Sequence, residues 1–336
     1  MASIIKRGDY QYQVTIRRKG FRAQRKTFET EREAKNWAKV IESEMVRGVF
    51  TDRSELERTT LGELLERYEH EVTVGKIGAR QERSRIKRWK AHPLALRPLA
   101  SLRAVDFSQY RNAREKEVGP NTVRLELALI SSLFKHARLD WSMPLENLIK
   151  GIRAPKIPAG RERTLVGDEE KRLLEAASAA RAHPLQIKTA IQLAIETGLR
   201  EGRLAQLRWE QVDFREGVVW VMTKGEEHKQ VLKPVPLTEK AVELLQALPR
   251  DISGNVFGRA FPTAQALGSA FRRARDRAGL TNLRFHDLRH EAATRMARRM
   301  PTATLAKVMT WKTLQMAMRY YNPKPSELVA AVRATA

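Results

Sequence analysis

Apolar and polar residues alternate from residue 9 to residue 28. Tyr10, Tyr12, Val14 and Ile16 fall on one face, Lys19 and Gly20 make a turn, and Phe21 to Phe28 return. A period of two predicts a β-hairpin. Thr30 then stands where a helix cap belongs, ahead of Ala34, Trp37, Ala38 and Ile41 at three-to-four spacing, so the helix it starts should cover one face of the sheet. Residues 1–50 are therefore expected to form a small sheet-plus-helix domain, with 48–58 as a connection.

Between residues 60 and 140 the pattern changes to a helical period. Thr60 precedes Leu61, Leu64, Leu65 and Tyr68; a basic stretch runs from Lys76 to Lys90; further helices are predicted over 107–117 and 121–139. In the last of these, Val123, Leu127, Ile130, Leu133 and Phe134 form one stripe, which reads as core. These four helices define a helical domain over 59–149. Gly151, Pro155, Pro158 and Gly160 mark a basic linker over 150–163. Beyond it, 164–336 reads as a mixed domain, with helices over 168–182 and 185–197, two or three strands in 218–237 and helices over most of the rest. The whole is an α+β, mostly helical chain, and at 336 residues it is long enough for two or three cores.

Charge changes the picture. The chain carries 63 Lys and Arg against 39 Asp and Glu, a formal +24. A surplus of that size attracts polyanions, and at phosphates it is reinforced by counterion release, so nucleic acid is the expected partner. A membrane surface would ask for a basic helix with an apolar face, which the sequence lacks. The candidate DNA contacts lie where cations cluster. They are Arg17, Arg18, Lys19, Arg22, Arg25 and Lys26 on the hairpin, Lys76, Arg80, Arg83, Arg85, Lys87, Arg88 and Lys90 on the basic stretch, and Lys156 and Arg161 on the linker.

With no cysteine, disulfides, thiolate catalysis and cysteine-bound metals are excluded. No apolar run has the length of a membrane span and the N-terminus does not resemble a signal peptide, so the chain is expected in the cytoplasm.

Four short motifs follow one another in the last third. They are Thr197-Gly198-Leu199-Arg200; Thr223-Lys224-Gly225, ahead of Val235-Pro236-Leu237; Phe285-His286-Asp287-Leu288-Arg289-His290; and Trp311-Lys312 through Arg319-Tyr320. In this order they resemble the catalytic motifs of the tyrosine recombinase, or phage integrase, family, fully from about Thr164 onward and more loosely before it. The resemblance implies an enzyme that cuts and rejoins DNA through a covalent 3′-phosphotyrosyl bond, for integration, excision or inversion of mobile DNA. It assigns Arg200 and Arg289 to the phosphate, His286 to accepting or orienting a proton, Lys224 to general acid work, Trp311 to an N–H donated to a phosphate oxygen, and Tyr320 to nucleophilic attack. Lys229 and Tyr321 are the alternatives to Lys224 and Tyr320.

The chemistry fits these residue types. Attack on a phosphodiester builds charge on non-bridging oxygens, which two guanidiniums can clamp bidentately. A phenol of pKa about 10 needs nearby cations and a proton acceptor. The resemblance implies neither metal nor other cofactor. It does imply double-stranded DNA carrying specific sites, an arm-binding role for 1–50, a core-binding role for 59–149, a clamp of the last two domains around the duplex, a homotetramer on DNA and accessory DNA-bending or directionality proteins, in a bacterial or phage setting at the nucleoid. Leu328, Val329 and Val332 predict a last helix over 326–334, packing on its own core or on a neighbouring protomer.

Two positions depart from the family pattern. Arg203 stands where an acidic residue usually supports the first arginine, with Glu201 the nearest compensating acid, and Thr310 stands where glycine usually precedes the tryptophan. A β-branched residue there is strained if φ is positive. These departures keep open a DNA-binding protein weakened in cleavage, and the shared chemistry keeps open a type IB topoisomerase.

Overall fold

The computed structural model describes residues 2–158, 160–224 and 230–321, together with Val329, Val332 and Arg333. The chain divides into two compact units, Met1–Ala159 and Gly160–Ala336, and the division falls inside the expected linker.

The first unit opens with an antiparallel sheet in the order β1-β2-β3: β1 (Ala2–Gly8), β2 (Gln11–Ile16) and β3 (Gln24–Phe28). The hairpin of β2 and β3 is the predicted one, turning through Gly20 at φ +88°. Strand β1 adds a third member, with Ile4 opposite Val14. Its run of Lys6, Arg7 and Gly8 hides it from a hydrophobicity reading, because only the ladder with β2 makes it a strand. Tyr10 does not share the apolar face. It lies in the β1–β2 turn and is exposed, while Val14 and Ile16 are buried. Helix α1 (Glu31–Val46) is capped by Thr30, whose hydroxyl accepts from the Glu33 amide, and it packs Ala34, Ala38 and Met45 onto that face.

Part of the expected connection is ordered. Asp52 accepts from the Ser54 amide at 2.9 Å, starting the short helix α2 (Ser54–Arg58), and from Gln24 of β3 at 3.0 Å. A capping box between Thr60 and Glu63 starts α3 (Leu61–Tyr68), which runs into a π turn over Glu69–Thr73. The helices α4 (Ala79–Lys90), α5 (Ala104–Arg114) and α6 (Pro120–Leu139) complete a core that includes Leu61, Trp89, Phe107, Val123 and Phe134.

These last three helices meet on one buried carboxylate. Glu126 of α6, 1% exposed, accepts from Tyr110 at 2.7 Å and from Arg114 at 3.1 Å, both on α5, and lies 3.4 Å from Arg88 of α4. Trp89 stacks on Tyr110 with ring centroids 4.0 Å apart and donates its indole N–H to the Glu126 carbonyl.

The second unit is built around α8 (Pro184–Thr197), whose Ile187, Ala190, Ile191, Leu193, Ala194 and Ile195 are all buried, as befits a helix with neighbours on several sides. Before it comes α7 (Glu169–Ser178) and after it the short α9 (Glu201–Ala205). A three-stranded antiparallel sheet follows, β4 (Val212–Asp213), β5 (Val218–Lys224) and β6 (Gln230–Pro236), with Val219 opposite Val235. Then come α10 (Glu239–Gln246), α11 (Ala264–Arg277), α12 (Phe285–Ala297), α13 (Thr302–Val308) and α14 (Gln315–Met318). The helices α7, α10 and α12 pack on α8. No described helix is long and apolar enough to cross a membrane. The expected helix over 326–334 lies almost wholly outside the described residues.

Removing one partner of a buried ion pair strands the other, at about 3–5 kcal/mol, whereas an exposed pair contributes less than about 1 kcal/mol. Glu126→Gln should therefore lower the stability of the helical domain by roughly 3 kcal/mol. Glu66→Gln, which breaks an exposed pair with Lys90, should leave it nearly unchanged. Hydrogen-exchange protection of the α6 amides measures both, and equal effects would remove Glu126 from its central place.

Candidate active site

Two helix ends and one helix start supply the site. Thr197 closes α8 by donating its hydroxyl to the Leu193 carbonyl at 2.6 Å, and Gly198 then turns left-handed at φ +65°. A Cβ at Gly198 would stand 2.8 Å from the Met309 sulfur, so backbone angle and space both require glycine. Two residues later Arg200, in extended conformation, is the cap residue from which α9 starts, and its side chain lines a cavity. The Gly198 carbonyl, freed by the turn, accepts from the Arg289 guanidinium.

The second helix end is that of α13. Thr310 donates its amide to the Lys307 carbonyl at 3.0 Å and Trp311 donates to Ala306 at 2.9 Å, the bond pattern of a Schellman cap. Such a cap needs a left-handed residue, and Thr310 has φ +53°. The Met309 carbonyl accepts from Arg289 at 2.6 Å. Arg289 thus joins the start of α12 to the ends of α8 and α13, and a guanidinium with five N–H groups retains donors for the cavity it also lines. Burial, then the neighbouring Arg200, lower its pKa to about 10, which leaves it charged at neutral pH. Arg200 is lowered as well, by desolvation and by Arg203.

Trp311 and Tyr320 form the wall opposite. Their rings stack with centroids 5.2 Å apart and planes within 8°, and the Arg289 guanidinium lies 5.6 Å from the indole centroid. Tyr320 is half-buried, and its hydroxyl meets Nδ1 of His290. Burial pushes this phenol up; Arg319 and Arg289 pull it down. Tyr321, by contrast, is 51% exposed and does not line the cavity. The cavity measures about 320 Å³ and brings together Arg200, His286, Arg289, His290, Trp311 and Tyr320.

The start of α12 is held by the chain that enters the unit. Asp287, 1% exposed, accepts from the Arg284 amide and takes the forked Arg161 guanidinium at 2.8 Å. Glu291 accepts from the Leu165 amide at 2.8 Å. The structure therefore pairs Arg161, expected among the linker's DNA contacts, with Asp287, its side chain remaining partly exposed.

Five of the six expected catalytic residues meet in the cavity. The sixth, Lys224, ends β5 in register with Gln230; its side chain and the alternative Lys229 lie outside the described residues. His286 was expected at the phenol, but the structure gives that position to His290. His286 is exposed, approaches His290 edge-on at 5.1 Å and feels the charges of Arg289 and Arg200. One turn separates the two histidines, and that spacing already put them on one helix face. Glu201 does not compensate Arg203. Its carboxylate is aimed at Gly268 and Arg272 of α11. Among the described residues no group of three or more His, Asp or Glu side chains could hold a metal ion.

The expected DNA contacts divide. Arg18, Lys19, Arg22 and Arg25 are exposed around the β2–β3 turn, with Arg17 beside them, and Lys156 is exposed on the linker. Lys26 is paired with Glu57, Lys76 with Glu82, Arg83 with Glu69, Arg88 with Glu126 and Lys90 with Glu66. Arg80, Arg85 and Lys87 have no carboxylate within ion-pair distance among the described residues.

A left-handed β-branched residue costs about 1–2 kcal/mol, partly offset by the greater unfolded freedom of glycine. Thr310→Gly should thus stabilise the second unit by roughly 1 kcal/mol, raising its melting temperature by about 2–4 °C. A lowered melting temperature would mean that the threonine side chain makes contacts worth more than the strain.

The sequence profile described as the phage integrase family matches residues 163–327. The shufflon-specific DNA recombinase of Escherichia coli is 35% identical over 289 residues, 83% of this chain and 73% of that protein. The integrase of Salmonella phage P22 is 26% identical over 235 residues, 66% of this chain and 58% of that protein. Among solved structures, a lambda integrase tetramer bound to a Holliday junction matches with a TM-score of 0.65 at 21% identity, covering 95% of this chain and 94% of that one. Sequence relatives and fold agree with the cavity, and the chain belongs to the phage integrase family, the tyrosine recombinases.

Proposed function

We propose that the chain is a site-specific DNA recombinase that cleaves and rejoins strands through a bond between Tyr320 and a 3′ phosphate. The observation that carries this reading is the convergence of one half-buried phenol, two guanidiniums and an indole on a single cavity of about 320 Å³. A phosphodiester entering it meets Arg200 and Arg289 at its non-bridging oxygens, where they neutralise the charge that grows as the phenolic oxygen attacks. Trp311 closes the other side and can give its N–H to the same oxygens. His286, exposed at the cavity rim, is free to meet the phosphate. Lys224, on the β5–β6 hairpin, is assigned the protonation of the leaving 5′ oxygen. The bond energy stays in the phosphotyrosyl link until a 5′ hydroxyl from the partner strand attacks it.

Duplex DNA bearing specific sites is the substrate. The cations around the β2–β3 turn and the unpaired face of α4 are its phosphate contacts, with 1–50 taking the arm-type role and 59–149 the core-type role. Exchange between two duplexes takes four cuts, so four copies assemble on DNA, as the lambda integrase tetramer on its junction supports. Relatives from a bacterium and a phage support action at the nucleoid in the cytoplasm.

Incubation with nicked genomic fragments, denaturation and sequencing of the DNA left on the protein tests the reading and identifies the site. Tyr320→Phe should abolish the adduct while retaining DNA binding, and Tyr321→Phe should keep it; an adduct that survives Tyr320→Phe means another nucleophile. The paired change Arg80→Ala with Lys87→Ala should weaken binding to all sequences and flatten the plot of log affinity against log salt by about two. An unchanged slope would take α4 off the DNA.

A further inference from the structure

We propose that His290 is the base of strand cleavage, taking the phenolic proton of Tyr320 as its oxygen attacks phosphorus; the proposal rests on the recombinase reading above and adds a catalytic residue to it. The His290 Nδ1 atom meets the Tyr320 hydroxyl directly. The two rings lie with centroids 5.6 Å apart and planes tilted by 31°, and the indole of Trp311 stacks parallel on the same phenol at 5.2 Å. His290 is 8% exposed, whereas His286 is exposed. The phenolic proton therefore has one protein acceptor at hand among the described residues.

An imidazole accepts at Nδ1 only when it is neutral and carries its proton on Nε2. Its surroundings keep it so. Burial and the charges of His286, Arg319 and Arg289 lower its pKa, against an opposite pull from Asp287 on the same helix. Around Tyr320 the facing charges are Arg319, Arg289 and Glu162. At neutral pH His290 is thus ready to accept. As the pH falls through its lowered pKa it becomes a donor, and cleavage is lost below the ordinary histidine value of about 6.5.

The step balances. The Tyr320 O–H bond breaks and its proton forms an N–H bond at Nδ1, giving an imidazolium. A phenolic oxygen electron pair forms the bond to phosphorus, and the pair of the breaking P–O5′ bond leaves with the 5′ oxygen, which takes the proton of the general acid assigned to Lys224. Religation runs the same transfers backwards, so the imidazolium returns its proton to the departing phenolate.

The test uses the full chain in two ways. First, histidine-selective 15N NMR without DNA should show His290 as the Nε2–H tautomer titrating below the ordinary histidine value, and Tyr320→Phe should move that midpoint. Second, adduct formation is timed against pH on a nicked oligonucleotide carrying the site recovered by adduct sequencing, and again on one with a 5′-bridging phosphorothiolate, whose leaving group needs no proton. His290→Asn, which retains an acceptor but cannot hold the proton, should slow cleavage about 100-fold, abolish the acid limb and gain nothing from the phosphorothiolate. An Asn variant within threefold of wild type, an acid limb that survives, rescue by the phosphorothiolate, or an His290 midpoint indifferent to Tyr320→Phe each overturns the proposal. A wild-type chain that forms no adduct at all overturns the recombinase reading instead, and the NMR result then stands by itself as a test of the contact.

Discussion

The site depends on one side chain, Arg289, that bonds to the ends of two helices. Its guanidinium donates to the carbonyls of Gly198 and Met309, which close α8 and α13. Helix ends leave carbonyls without partners, and a buried cation can satisfy them while their partial negative charge stabilises it. The same bonds fix where Arg200 and Trp311 begin, because each follows one of these ends by two residues. A neutral residue at 289 would strand both carbonyls and loosen both neighbours together.

That arrangement gathers several cations, with Glu162 facing the phenol. Burial, then Arg200, lowers Arg289; burial, then Arg203, lowers Arg200; and burial and nearby cations lower both histidines below the ordinary range. Three nearby carboxylates are committed elsewhere: Asp287 to Arg161, Glu291 to Leu165 and Arg295, Glu201 toward α11. Like charges held together are unfavourable, and a phosphodiester relieves them. Repulsion among these cations becomes affinity for the substrate, most of all for its more highly charged transition state.

Much of this was legible in the sequence. The motifs named Arg200, Arg289, Trp311 and Tyr320, which the fold brings to one cavity, and periodicity gave the hairpin, α1, α3 and α6. Periodicity failed where an element owes its form to a partner: β1 becomes a strand by pairing with β2, and α2 a helix through an aspartate that also holds β3. It failed as well on charges, because sequence shows that Arg161 is basic but not that Asp287, 126 residues away, takes its guanidinium. The contact of His290 with Tyr320 was within reach, since His290 lies one turn from His286, but which of the two meets a phenol 30 residues further on is decided by the path of the chain through α13 and α14.

The two departures from the family pattern can be weighed by magnitude. Arg203 is exposed, so its repulsion of Arg200 acts through water and is screened. It lines the neighbouring cavity with Arg200, where it adds to the field that draws in phosphate. Thr310 carries a strain of about 1–2 kcal/mol, yet both bonds of its cap are intact and Trp311 is in place against Tyr320. Neither change reaches the contacts that hold the phenol or the guanidiniums. The strain is taken from folding stability, and the geometry on which phosphoryl transfer depends is left whole.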